Sequence, residues 1–249
     1  MTRLLVSVRD EAEAGVATRA GADFIDLKDP RAGALGGLAP ERIAAIVRTL
    51  RALDPGRPVS ATIGDVDVAC LDEILARVER VKRCGVDLVK VGVAGGARSG
   101  PAARALLRVL AGCGAAVVPV LLADDGVDAA LVGAALCEEA FPALMLDTAD
   151  KGAGSLVQRV PRAELAAFVA RVRASGRLAG LAGSLRAGDV PALHALGPDF
   201  AGFRSAVCDG ARAGPLDAAR VRALASALGG CGGMPGSGLK GQTPPFELA

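Results

Sequence analysis

The chain has 249 residues, 51% of them hydrophobic, and a formal net charge of only +2. This length suits one domain of about 250 residues, and the core is predicted to be aliphatic because the chain has six Phe but no Tyr or Trp. Basic and acidic residues are mixed along the chain without a basic stripe or interleaved aromatic residues, which excludes the usual surfaces for binding nucleic acid.

The N-terminal sequence MTRLLVSVRDE contains only a short apolar run before Arg9, Asp10 and Glu11. Such a run is shorter than the core of a signal peptide or a membrane span, so we predict a cytoplasmic protein without a membrane partner. The six cysteines form no C-x-x-C pair, and His194 is the single histidine. Histidine-rich metal sites are therefore hard to build, and we predict neither a metal ion nor a cofactor.

Short apolar runs alternate with longer amphipathic stretches from residue 4 to about residue 228. This alternation is typical of parallel strands that are covered by helices. The fifth run contains Pro119, which lacks the N–H group that a strand ladder uses. Eight runs are predicted as strands, in chain order LLVSV from Leu4, FIDLKD from Phe24, VSATIGD from Val59, LVKVGV from Leu88, AVVPVLLAD from Ala116, ALMLDT from Ala143, LAGLAGS from Leu178 and FAGFRSAV from Phe200.

Amphipathic stretches between these strands place apolar residues at steps of three and four, which predicts helices. Clear examples span residues 11–21, 40–50, 71–85, 162–176 and 216–230. Eight such units could also form an open doubly wound sheet, but the first strand is not followed by the G-x-G-x-x-G turn that is frequent in that fold.

We therefore predict an α/β fold in which residues 1–228 form a single (β/α)8 TIM barrel, the catalytic domain. Residues 229–249 are rich in Gly and Pro and lack periodicity, so we predict that they form a flexible tail. The sequence leaves the oligomeric state open, with a homo-oligomer as one alternative.

Lysine is rare in this chain, with only five lysines among the 29 Lys and Arg residues. A lysine kept against this bias is a candidate for chemistry that arginine cannot perform, because an amine can lose its proton and attack a carbonyl. Lys28 ends the second predicted strand, Lys90 lies in the fourth and Lys151 follows the sixth. All three are therefore expected at the catalytic mouth of the barrel.

Aspartates accompany these lysines along the sequence. Asp26 lies two residues before Lys28 and hence on the same strand face, Asp147 ends the sixth strand near Lys151, and Asp65 is a further candidate after the third strand. Clustered ammonium groups depress one another's pKa, which favours nucleophilic or base catalysis. The alternative left open is that the lysines are only ion-pair partners of these aspartates.

A phosphate site is expected at the ends of the last two strands, where barrels often bind phosphate through backbone N–H groups. Gly183 and Ser184 offer backbone and hydroxyl donors, Gly202 permits close approach, and Arg204 offers a bidentate fork. The alternative is that these glycines merely relieve crowding in the barrel. The Gly-rich run at residues 31–38 is predicted to be a flexible lid.

With these residues in hand, the chain resembles the (5-formylfuran-3-yl)methyl phosphate synthase family of methanofuran and methylofuran biosynthesis. The resemblance implies that Lys28 is the Schiff-base nucleophile, that Lys90 is the proton acceptor, and that Asp26, Asp147 and Lys151 are further active-site residues. It spans about residues 4 to 210 and is carried by LLVSVRDEAEAGVATRAGADFIDLKDPRAGALGG, VSATIGD, VDLVKVGV, MLDTADKGAG, LAGSL and the Gly-Phe-Arg run at 202–204.

The resemblance implies a carbon–oxygen lyase that condenses two molecules of glyceraldehyde 3-phosphate, with loss of one phosphate and of water, to a furan aldehyde phosphate. Its partner would be this small phosphorylated aldehyde, and neither metal nor cofactor would be required. The chain departs from the family pattern at Arg204-Ser205-Ala206 and at LLADD, the end of the fifth predicted strand, which leaves the details of the second substrate pocket open. Alternatives are another Schiff-base aldolase or sugar-phosphate isomerase, and a non-catalytic phosphosugar-binding barrel.

Overall fold

The computed structural model of the chain describes residues 1–94 and 100–229. The predicted flexible tail, apart from its first residue, therefore lies outside the described residues, as do Cys231 and Lys240. Within the described ranges, no helix combines the length and the apolar character that crossing a bilayer would require.

Eight parallel strands close into a barrel in chain order, with β1 paired to β8. The predicted (β/α)8 barrel is thereby confirmed, and each of the eight predicted runs overlaps one strand. The strands are β1 (Arg3–Val8), β2 (Phe24–Leu27), β3 (Val59–Thr62), β4 (Leu88–Ala94), β5 (Val117–Leu122), β6 (Ala143–Asp147), β7 (Leu178–Leu181) and β8 (Phe200–Phe203).

Helices follow the strands and cover the outside of the barrel. Local signals in the sequence fix several of their ends: the Asp10 carboxylate accepts a hydrogen bond from the N–H group of Glu13 at the start of the first helix, and Pro40 opens the second. The helices are α1 (Glu11–Arg19), α2 (Pro40–Leu53), α3 (Leu71–Lys82), α4 (Gly100–Ala111), α5 (Ala129–Cys137), α6 (Leu156–Arg159), α7 (Arg162–Ala174), α8 (Val190–Leu196) and α9 (Ala218–Leu228).

The fifth strand forms despite its proline. Pro119 is paired with Val91 of β4, whereas the pairing of β5 with β6 begins only at Val120. The missing N–H group thus falls where one side of β5 is not yet paired, which is where a strand tolerates proline.

An apolar cluster fills the interior of the barrel. The rings of Phe24 and Phe200 lie with their centroids 5.5 Å apart, and Gly180 makes room for them, since a Cβ atom there would lie 2.2 Å from the Phe200 ring. Leu5 and Met145 belong to the same cluster and also line a cavity at the carboxyl ends of the strands. The interior is therefore packed, and its polar groups are concentrated at one end.

Candidate active site

The cavity at the carboxyl ends of the strands brings together the lysines and aspartates that the sequence singled out. Parallel strands end at the same mouth of a barrel, so residues far apart in sequence meet there. Nine of the ten predicted site residues, all but Asp65, line this cavity: Asp26, Lys28, Lys90, Asp147, Lys151, Gly183, Ser184, Gly202 and Arg204.

Asp26 is the centre of the first polar cluster in the cavity. Lys90 Nζ lies 3.0 Å from Asp26 Oδ1, and Lys28 Nζ lies 3.8 Å from Oδ2. The hydroxyls of Ser60 and Ser7 donate to the same two oxygens, at 2.7 and 3.2 Å. Ser7, Asp26 and Ser60 are register partners on β1, β2 and β3, so the strand pairing itself aligns these donors with the carboxylate.

The Asp26 carboxylate is held in its charged form. Only 1% of the residue is exposed, and burial alone would raise its pKa. The positive charges of Lys90 and Lys28 and the hydrogen bond from Ser60 outweigh burial, so the pKa of Asp26 lies below its usual value. One anion therefore serves two neighbouring ammonium groups.

Lys90 is a buried amine with a lowered pKa. Burial is the largest cause, because it disfavours the charged form. The negative charge of Asp26 opposes the change, and the positive charge of Lys28 adds to it. Lys90 therefore loses its proton more readily than an exposed lysine does, as a general base requires.

Lys151 and Asp147 form a second pair on the other side of the cavity. Lys151 Nζ donates to Asp147 Oδ1 and to the carbonyl oxygen of Thr148. Burial lowers the pKa of Lys151, the charge of Asp147 opposes the change, and the charge of Lys28 adds to it. The positive charge of Lys28 therefore acts on the lysines of both pairs.

Asp124, which the sequence interpretation did not single out, fixes the loop that carries Lys151. Its carboxylate accepts hydrogen bonds from the N–H groups of Ala149 at 2.6 Å and Asp150 at 3.0 Å. It also accepts from Arg159 Nη1 at 2.9 Å. The only sequence signal was its position after the fifth strand, in the segment where the chain departs from the family pattern.

Two predicted phosphate-site residues, Gly183 and Ser184, follow β7 and line the cavity. Both have left-handed backbones, with φ of 108° and 47°. The Ser184 hydroxyl donates to the carbonyl oxygen of Lys151 at 2.9 Å, so it holds the β6–α6 loop rather than offering a free donor. Neither backbone N–H group donates to an acceptor within the described part of the chain, and these groups remain candidates for binding a phosphate.

Gly202 lines the cavity from β8, but its neighbours favour the packing alternative. A Cβ atom at this position would lie 3.2 Å from Ala182 Cβ, 3.2 Å from Met145 Cε and 3.3 Å from Leu5 Cδ2. Such contacts are tight for a close-packed interior. The absence of a side chain at Gly202 therefore serves the packing of the barrel.

Arg204, which was predicted to bind a phosphate with its guanidinium, forms a buried ion pair instead. Its guanidinium donates to both oxygens of Glu13 and to the carbonyl oxygens of Ser7, Arg212 and Gly214. Arginine has five N–H donors, and these five acceptors engage all of them. The structure therefore does not support a direct phosphate contact by Arg204, because the buried Glu13–Arg204 ion pair already uses its donors.

Asp65 is likewise separate from the lysine cluster, since it is exposed and does not line the cavity. Its Oδ1 accepts a hydrogen bond from the N–H group of Leu35 at 3.3 Å. Leu35 belongs to the β2–α2 loop (residues 28–39), which contains the run predicted as a lid. This leucine is buried, lines the cavity and joins the interior cluster, so Asp65 anchors the loop that covers the cavity.

Arg212 is a charged cavity residue that sequence reasoning missed entirely. It lies in the segment between β8 and α9 and lines the cavity together with Lys28 and Lys151. No periodicity or motif marks this segment, so the sequence offered no signal for it. Within the described residues, no group of three or more His, Cys, Asp or Glu side chains is placed to hold a metal ion, and metal-free chemistry stays a prediction.

Fold and cavity together define the class of this protein: a (β/α)8 barrel with a buried lysine–carboxylate cluster at the mouth where such barrels carry out chemistry. Residues 4–225 match the family model described as 4-HFC-P synthase. The chain belongs to this family.

Two relatives and one solved structure illustrate the likeness. The chain is 43% identical over 229 residues, 91% of each chain, to a provisionally named (5-formylfuran-3-yl)methyl phosphate synthase of Methylorubrum extorquens. It is 34% identical over 241 residues to the (5-formylfuran-3-yl)methyl phosphate synthase of Methanopyrus kandleri, covering 91% of this chain and 98% of that one. Phosphoribosyl anthranilate isomerase from Thermus thermophilus shares the fold, with a TM-score of 0.63 at 20% identity, covering 92% of this chain and 98% of that one.

Proposed function

We propose that the protein is a (5-formylfuran-3-yl)methyl phosphate synthase. In this proposal it condenses two molecules of glyceraldehyde 3-phosphate through a Schiff base on Lys28, with loss of one phosphate and of water, and so acts as a carbon–oxygen lyase in methanofuran or methylofuran biosynthesis in the cytoplasm. The names of its relatives support the product. The observation that carries the proposal is the position of Lys28 between two lysine–aspartate pairs.

In the proposed reaction, the neutral amine of Lys28 adds to the carbonyl carbon of one substrate. Loss of water then gives an iminium ion, which withdraws electrons from the adjacent carbon and makes its proton acidic. A base must accept that proton, and Lys90 is favoured because burial lowers its pKa and because it lines the same cavity as Lys28. The resulting enamine is the carbon nucleophile for the second aldehyde.

Lys151 is the proposed acid for the later steps. Condensation creates an alkoxide, and ring closure and dehydration create leaving oxygens, each of which needs a proton. Lys151 Nζ is hydrogen-bonded to Asp147 and is 17% exposed, so it can exchange protons with solvent after donating one. The backbone N–H groups of Gly183 and Ser184 are proposed donors to a substrate phosphate.

Incubation with glyceraldehyde 3-phosphate tests the proposal, because a furan aldehyde absorbs in the near ultraviolet whereas the substrate does not. Borohydride added during turnover should trap an adduct, and peptide mapping should locate it on Lys28. An adduct without the chromophore would instead indicate a Schiff-base aldolase or isomerase. Neither adduct nor chromophore would indicate a phosphosugar-binding barrel without catalysis.

A further inference from the structure

Arg212 connects the cavity with the β2–α2 loop. Its side chain lines the cavity, while Nη1 donates to the carbonyl oxygens of Pro30 at 2.6 Å and Gly33 at 3.3 Å. Nη2 donates to the carbonyl oxygen of Ala34 at 3.4 Å. One guanidinium therefore contacts three successive parts of the loop that carries Leu35 over the cavity.

All five N–H donors of Arg204 are engaged, whereas Arg212 has N–H donors without an acceptor among the described residues. Its Nε–H group and one N–H group of Nη2 have no acceptor among the residues that the structure describes. Nε and Nη2 form one edge of the guanidinium, and two parallel N–H groups on such an edge can bind two oxygens of a phosphate. The hydrogen bonds to the β2–α2 loop therefore leave Arg212 with donors for an oxyanion.

Arg212 also lacks a direct ion-pair partner among the described residues. Glu13 neutralises Arg204, whereas in residues 1–94 and 100–229 no carboxylate lies within salt-bridge distance of Arg212. Burial lowers the pKa of the Arg212 guanidinium and the charge of Asp147 opposes the change, but an arginine stays charged in proteins. A fixed cation with a free edge beside the reacting lysines favours an anionic ligand.

The backbone of Arg212 is fixed by the buried ion pair described above. Arg204 Nε donates to the carbonyl oxygen of Arg212 at 2.8 Å, and its Nη2 donates to that of Gly214 at 2.9 Å. Glu13 in turn holds Arg204. Contacts with the buried Glu13–Arg204 ion pair therefore fix the position of the backbone segment that bears the Arg212 side chain.

The covered cavity is small. Its volume is about 30 Å³, which is room for about two water molecules, whereas sites for small ligands typically measure about 300 Å³ or more. Leu35 occupies part of the mouth, and its Cδ1 is so close to Gly92 that a Cβ there would lie 2.7 Å away. A small ligand therefore needs more room than the covered cavity offers, and displacement of the β2–α2 loop would supply it. Arg212 lines the cavity and contacts this loop.

We propose that Arg212 binds the phosphate group of the substrate through its Nε edge and holds the β2–α2 loop over that substrate through its Nη atoms. Phosphate recognition and closure of the loop are then one event. The inference rests on the proposed function only for the identity of the substrate, because any small phosphate ester would make the same contact.

Calorimetric titration with inorganic phosphate tests the binding step without any turnover. Replacing Arg212 by Met should weaken phosphate binding by about tenfold or more, the effect expected for charge-assisted hydrogen bonds. Arg212→Lys should give an intermediate loss, because it keeps the charge and loses the fork. Arg222→Met is the matched control, since it removes the same group from an exposed position on α9.

Hydrogen exchange tests the closure step. In the closed loop, the N–H group of Asp29 donates to Gly36 at 2.9 Å and that of Leu35 donates to Asp65. Inorganic phosphate should slow exchange in residues 29–36 of the wild type and of Arg222→Met, but not of Arg212→Met. A purely structural role for Arg212 would change the exchange rate without changing its response to phosphate, and that result would overturn the inference.

Wild-type protein that binds no phosphate, or Arg212→Met that binds it as tightly as wild type, would also overturn the inference. A protein that makes no furan yet binds phosphate through Arg212 would refute the proposed function and leave the inference standing. Conversely, furan synthesis with an unchanged KM in Arg212→Met would keep the proposed function and reject the inference.

Discussion

Lys90 Nζ lies 3.0 Å from Asp26 Oδ1, with both side chains almost fully buried at the barrel mouth. The charge of Asp26 raises the pKa of Lys90 and so opposes the larger lowering by burial. If neutral Lys90 is the base, kcat/KM should rise with pH through a midpoint below the ordinary lysine value.

Asp26→Asn removes the charge that raises the pKa of Lys90. The midpoint of the rise of kcat/KM with pH should therefore move to lower pH. The pH profile of kcat/KM for the two proteins measures the shift. The sign follows because the substitution favours the neutral amine, which is the active form. An unchanged or higher midpoint in Asp26→Asn would show that the pKa of another group controls the rise of kcat/KM with pH.

Lys28→Arg should abolish turnover while the fold stays intact, since the positive charge beside Asp26 remains and the imine cannot form. Furan absorbance and borohydride trapping provide the measurements, and circular dichroism checks the fold. Activity above a few per cent of wild type would remove Lys28 from the nucleophile role.

Lys90→Arg should lose most turnover yet still form an adduct on Lys28. Arginine keeps the cation that pairs with Asp26, but it cannot accept a proton at moderate pH. Mass spectrometry after borohydride reduction would detect the adduct. Loss of both adduct and turnover would assign Lys90 to an earlier step than proton abstraction.

Asp124→Asn should lower kcat by about tenfold, on the scale of one charge-assisted hydrogen bond, with a smaller effect on KM. The carboxylate holds the N–H groups of Ala149 and Asp150, and thereby the loop that positions Lys151. Steady-state kinetics provide the measurement, and Asp125→Asn, the same change at the exposed neighbouring position, is the control. Equal kinetics in the two variants would contradict a positioning role.

Glu13→Gln should lower the free energy of unfolding by about 3 to 5 kcal/mol, because it leaves the buried Arg204 cation without its partner. Arg204→Met should cost a similar amount, and the double variant should cost less than the sum of the two. Urea unfolding of the four proteins measures this cycle. Additive losses would mean that the two side chains stabilise the fold independently.

The barrel and the lysine–aspartate cluster could be predicted because both depend on local patterns. Alternating apolar runs define the eight strands, and the rule that parallel strands end at one mouth brings Lys28, Lys90 and Lys151 together. Spacing of two residues was enough to place Asp26 on the same face as Lys28.

The remaining contacts depend on closure of the barrel and could not be predicted from local sequence. Arg204 contacts Glu13 across 191 residues, and a bare arginine after a strand is consistent with either a phosphate ligand or an ion-pair partner. Arg212 lies in a segment without periodicity. Asp65 was a candidate for the cavity because the sequence does not reveal the path of the β2–α2 loop, which Asp65 contacts instead. Ser184 was correctly placed near the cavity, but the acceptor of its hydroxyl is a backbone carbonyl that sequence does not reveal.

The ion pair between Glu13 and Arg204 also has a consequence for how the chain is made. During synthesis, the first strand and helix leave the ribosome long before residue 204 exists, so the Glu13 carboxylate has Arg9 beside it but lacks the buried partner Arg204. The first unit of the barrel can therefore complete its native packing only after the last strand has been translated. Released chains that end before residue 204 should accordingly stay sensitive to protease near α1, and released chains that extend past residue 217 should become resistant.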